Sequence, residues 1–92
     1  MDRVIEVPGY HPDDGLRFVW DEGFEIAVTA SSTDVAIKAN RAGFVSLARH
    51  LLTLAQDGVH EGAHIHLTAN QEIDSDLDLI LELMPEGSHD VA

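Results

Sequence analysis

The sequence has no cysteine, only five lysines and arginines in 92 residues, and few aromatics: three phenylalanines, one tyrosine, Tyr10, and one tryptophan, Trp20. Without thiols there is no disulfide framework, thiolate metal centre, cysteine nucleophile or iron–sulfur cluster. Against 17 aspartates and glutamates the few cations leave a formal net charge of −12. Phosphate contacts need positive groups, so this balance argues against direct nucleic-acid binding and against attraction to anionic membranes. No run approaches the ~18 apolar residues of a membrane span. The opening residues 1–6 lack the basic segment and apolar run of a signal peptide. A soluble, cytoplasmic, single domain over 1–92 is expected, with 86–92 a flexible tail.

The acidity is unevenly distributed. Residues 1–40 carry eight acids and three bases, whereas residues 41–60 hold Asp57 against Arg41 and Arg49. Glu61, Glu72, Asp74, Asp76, Asp78, Glu82, Glu86 and Asp90 then follow with no lysine or arginine among them. Local ion pairs to lysine or arginine cannot neutralise this last third. A surface of that kind suits capture of a basic partner.

Val4 to Val7 reads as a short edge strand ended by Pro8-Gly9, and His11 to Gly15 as turns. Leu16, Phe18 and Trp20 alternate, suggesting a second strand. Phe24, Ile26 and Val28, then Val35 and Ile37, alternate on either side of Ser31-Ser32-Thr33, the pattern of a hairpin. Asn40 is a suitable helix cap. Phe44, Leu47, Ala48, Leu51, Leu54 and Ala55 recur at helical spacing, so a helix running to about Asp57 is expected, stopped by Gly58. Arg49 and His50 should project from its less buried side. Beyond it the period returns to two: Ile65 and Leu67 oppose His64 and His66, and Leu77, Leu79, Leu81 and Leu83 oppose Asp78, Ile80, Glu82 and Met84. Residues 70–75 form the connection.

These patterns predict a two-layer α+β domain: an antiparallel or mostly antiparallel sheet of about five strands with one long helix on one face. The order is β-β-β-β-α-β-β, or one strand fewer. The expected core comprises Phe18, Phe24, Ile26, Val28, Val35, Ile37, Phe44, Leu47, Leu51, Leu54, Ile65, Leu67, Leu79 and Leu81.

His64 and His66 point the same way on one strand and are the weak candidates for a metal site, with His60, Glu61 or Asp78 as a third ligand. A metal-dependent hydrolase built on this pair is the best enzymatic reading. The expected role of the histidines is nevertheless structural or partner-binding, without cofactor or metal. Asp74, Asp76 and Asp78 alternate, but they lack the glycine and terminal glutamate that shape an EF-hand loop. The serines show no nucleophile-elbow pattern, and no phosphate loop is present, so no catalytic residue is assigned. Tyr10 and Trp20 combine contact area with a hydrogen-bonding group and are further interface candidates.

Asn40 to Ala48, followed by Leu51, Leu54-Ala55, Gly58, Gly62 and His64-Ile65-His66-Leu67, resembles family 32 of the immunity proteins found with bacterial polymorphic toxins. Ser75 before Leu77, Leu79 and Ile80 extends the likeness to roughly residues 39–83. The sequence departs from that pattern at Ala63, where an acidic residue is usual, and over its first 23 positions. The resemblance implies a small α+β protein that binds and neutralises a toxin, and no catalytic residue. Combined with the charge, it leads to an expected basic protein partner, such as a toxin nuclease domain, contacted by Glu61, His64, His66, Glu72, Asp74, Asp76, Asp78 and Glu82. The alternative is a small regulatory or assembly subunit that pairs through a sheet edge, giving a homodimer through the last strand.

Overall fold

A computed structural model describes residues 2–85. The elements are β1 (Ile26–Ala30), β2 (Val35–Ala39), α1 (Arg41–Leu54), β3 (His64–Leu67) and β4 (Leu79–Glu82). The α+β class is as expected, but the strands form two separate two-stranded antiparallel sheets, β1-β2 and β3-β4. They do not form one sheet of about five strands.

Each hairpin follows from its sequence. In the first, Val28 faces Ile37 and Ile26 faces Ala39. Its turn closes where Ser31 N–H donates to the Asp34 carbonyl at 2.8 Å, while the Ser31 hydroxyl accepts from Asp34 N–H at 3.0 Å. In the second, Ile65 faces Leu81 and Leu67 faces Leu79, giving an apolar inner side. Main-chain bonds join the hairpins: Asp74 N–H donates to the Ile26 carbonyl at 2.8 Å, and Val28 N–H donates to the Asp74 carbonyl at 3.0 Å. Ile73, beside this bridge, is buried.

The two anticipated N-terminal strands are absent. Residues 4–7 and 16–20 are not in a ladder, and Val4 is almost fully exposed. Alternation does set the facing of Leu16, Phe18 and Trp20, which are partly buried against the core. Helix side chains bind this arm instead of a neighbouring strand. Arg49 donates from Nε to the Glu6 carbonyl and from Nη1 to the Val19 carbonyl, and it pairs with Asp21 at 2.6 Å. Ser46 Oγ accepts from Asp21 N–H at 2.8 Å. Gln56 accepts from Tyr10 N–H and donates to the Pro8 carbonyl, reaching the arm just beyond the helix end.

Asn40 caps α1 as anticipated, its Oδ1 accepting from Gly43 N–H at 2.8 Å. The helix ends earlier than Asp57, where Ala55 N–H is shared between the Leu51 and Leu52 carbonyls. Its buried face is also rotated from the expected apolar stripe. Gly43, Ser46, Leu47, His50, Thr53 and Leu54 turn inward, whereas Phe44 and Leu51 are each about half exposed. Gly43 lies so close to the Glu25 carbonyl that a Cβ there would collide with it. At His50, Phe18 and Trp20 meet the imidazole edge-on, with centroids at 5.3 and 4.4 Å. His50 is fully buried rather than projecting outward, and Arg49 is held beneath the arm.

The core therefore contains Ile26, Val28, Leu47, Leu54, Ile65 and Leu67 of the expected set, together with Ala63 and Ile73. Phe18, Phe24, Leu79 and Leu81 pack at its edge. Val35 and Ile37 lie on the core side of the hairpin, opposite Ala30 and Val28, yet are exposed, so the expectation that they belong to the core is corrected. Leu77 is exposed before β4 begins. The anticipated tail at 86–92 lies outside the described residues.

Gly43→Ala should destabilise the fold by about 1–3 kcal/mol, the range for a side chain forced into filled space, measured as a lower urea midpoint. His50 gives a second test because neither ring nitrogen has a hydrogen-bond partner. Burial first, and the Arg49 guanidinium second, lower its pKa from 6.5 to about 4. Between those values the unfolded chain binds a proton that the folded chain refuses, so stability is lost as pH falls, by about 1.4 kcal/mol per unit. His50→Leu should remove about 2 kcal/mol of the parent's loss between pH 7.5 and pH 5, measured by urea denaturation at both.

Candidate functional site: an acidic loop beside the histidine strand

The β3-β4 hairpin has a buried inner side and an exposed outer side. Gly62, at φ 86°, supplies the turn into β3, and its N–H donates to the Leu83 carbonyl at 2.9 Å. Alternation then places His64 and His66 outward, with Glu82 opposite His64 and Ile80 opposite His66. His64 Nδ1 lies 3.1 Å from the Gly62 carbonyl.

Asp78 bridges two parts of this region. One carboxylate oxygen is 2.7 Å from His66 Nε2, and the other accepts from Ala69 N–H at 2.8 Å. The Ala69 bond first, and then the His66 bond, hold the Asp78 pKa below its ordinary value, outweighing the opposing effect of desolvation. Glu72 also has a structural contact: its Oε2 accepts from Thr68 N–H at 2.9 Å. Ser75 is buried and its Oγ accepts from Leu77 N–H at 3.0 Å. These bonds shape the segment between β3 and β4 whose middle, Asp74, is joined to β1.

The sequence-selected acids thus divide by role. Glu72 and Asp78 hold the loop, whereas Glu61, Asp74, Asp76 and Glu82 have exposed side chains. His64, His66, Asp78 and Glu82 share the outer side of the second hairpin. Glu72 and Asp74 instead line an open cleft of about 900 Å³ with Lys38, Asn40, Asn70 and Gln71. The cleft was not legible locally because it requires Asp74 to dock on β1. Among the described residues, no group of three histidines, cysteines or carboxylates is positioned to hold a metal ion. No helix of the described structure is long and apolar enough to cross a membrane.

Comparison with protein families matches residues 34–91 to immunity protein 32, covering more than half of the chain. The chain belongs to the immunity protein 32 family. Membership in this immunity family places it in a toxin–immunity system as a non-enzymatic protein. The matched region begins at the turn between β1 and β2 and includes the helix, the histidine strand and the acidic loop. No curated protein and no solved structure matches the chain.

For this immunity-family protein, Asp78→Ala should increase hydrogen exchange at Ala69 N–H while leaving amides in α1 unchanged. Measurement by NMR tests whether this carboxylate holds the loop: unchanged Ala69 exchange would show that it does not.

Proposed function

We propose that the protein captures and neutralises a basic toxin domain through its carboxyl-terminal acidic surface. Asp74, Asp76, Glu61 and Glu82 provide exposed charge, and His64 and His66 add hydrogen-bonding groups beside it. Glu72 and Asp78 contribute negative potential while holding the loop. A nuclease domain fits this reading because its phosphate-binding groove has a complementary potential, which steers encounter and discriminates against wrong partners. The protein acts in the cytoplasm in this reading.

The carrying observation is the lack of neutralisation at this surface. Among the described residues, the lysine or arginine ion pair is Arg49–Asp21, away from the carboxyl-terminal acids. The other close carboxylate contact is His66 Nε2 with Asp78, at 2.7 Å. Family membership supplies the immunity role, and the exposed carboxylates support the chemical class of partner.

The test uses the cognate toxin, sought among the products of the genes neighbouring this protein's own. Asp74→Lys combined with Asp76→Lys should weaken binding by about tenfold or more and flatten its salt dependence, measured by calorimetry at several salt concentrations. Circular dichroism checks that the variant is folded. Unchanged affinity and salt dependence would overturn the acidic-surface reading, while loss of toxin inhibition alongside binding would support it.

A further inference from the structure

The β1-β2 hydrogen-bond phase leaves one edge available. Asn40 N–H donates to the Glu25 carbonyl and Ser31 N–H to the Asp34 carbonyl, marking bonded pairs at both ends of the hairpin. Antiparallel pairs alternate between bonded and non-bonded positions. Val35, Ile37 and Ala39 therefore turn their backbone N–H and carbonyl groups away from β1. The same alternation on β1 directs Ile26 and Val28 toward Asp74, consistent with the bonds there. Among the described residues, β2 pairs with β1 alone.

This edge lacks common protection against strand pairing. It contains no proline and only one charge, Lys38, and Val35 and Ile37 are 69% and 39% exposed. From Val35 through Gln56 the sequence has no acidic residue. By contrast, β4 contains Glu82 and follows Asp78 directly, so pairing two copies there would bring carboxylates together. The β2 edge therefore suits self-pairing better than the last strand expected from sequence.

We propose that two copies of this chain pair antiparallel along β2, centred on Ile37, to form a continuous four-stranded sheet. This register places Ile37 opposite its copy, Val35 opposite Ala39, and Ala36 opposite Lys38. The outward backbone groups at 35, 37 and 39 meet in bonded pairs, while the lysines do not face each other. The acid-free segment favours a second copy because two chains of net charge −12 approach with least repulsion along a strand that itself carries no carboxylate. The twofold axis between paired strands leaves both helices on one side of the joined sheet. Those helices carry the half-exposed Phe44, Leu51 and Leu52.

Sedimentation of the full chain should show a monomer–dimer equilibrium that strengthens with salt, because screening reduces repulsion between like-charged copies. Toxin capture through carboxylates has the opposite salt response, so this test is separate from the proposed immunity interface. Ala36→Lys places like charges opposite each other twice and should weaken the dimer about two- to thirtyfold, whereas Ala36→Glu should strengthen it over a similar range. Circular dichroism establishes that both variants fold. Opposed shifts support the register. A monomer at all concentrations, equal responses of the variants, or use of this edge by the toxin alone would overturn the proposal.

Discussion

Main-chain pairing between Asp74 and β1 joins two units that would otherwise each expose an incomplete sheet. A lone two-stranded hairpin is marginal in water. Here the Asp74 bonds to Ile26 and Val28 connect the hairpins while Ile73 enters the core. The inner residues of both hairpins can then pack with Leu47 and Leu54 of α1. The acidic loop is consequently part of the fold's connection rather than an appendage to it.

Helix formation and alternation were legible in the sequence, but their tertiary partners were less so. Asn40 and the periodic leucines identify α1, and the pairs Ile26/Val28 and Ile65/Leu67 identify the buried sides of two hairpins. The inward rotation of α1 was hidden because hydrophobicity alone favours Phe44 and Leu51 over Gly43, Ser46 and His50. Close backbone approach at Gly43 and the aromatic enclosure of His50 reverse that choice. Likewise, the alternation of Leu16, Phe18 and Trp20 reports a side, not the presence of a neighbouring strand. Arg49, Ser46 and Gln56 provide the arm's bonding partners from the helix and its end.

The site shows the same division between local pattern and tertiary use. A period of two correctly places His64 and His66 on one outer side. It does not reveal that Asp78 will bond both His66 and the Ala69 amide, or that Glu72 will bond Thr68. Those carboxylates combine negative charge with a backbone-holding role. Asp74 differs again, since its main chain joins β1 while its side chain remains exposed.

Capture through the proposed acidic surface would couple recognition to folding without requiring a separate moving domain. A partner that grips the carboxylates beside Asp74 also restrains the segment that fastens one hairpin to the other. Ligand-bound molecules would then spend less time in openings that separate those hairpins, and proteases that depend on such openings would cut them more slowly.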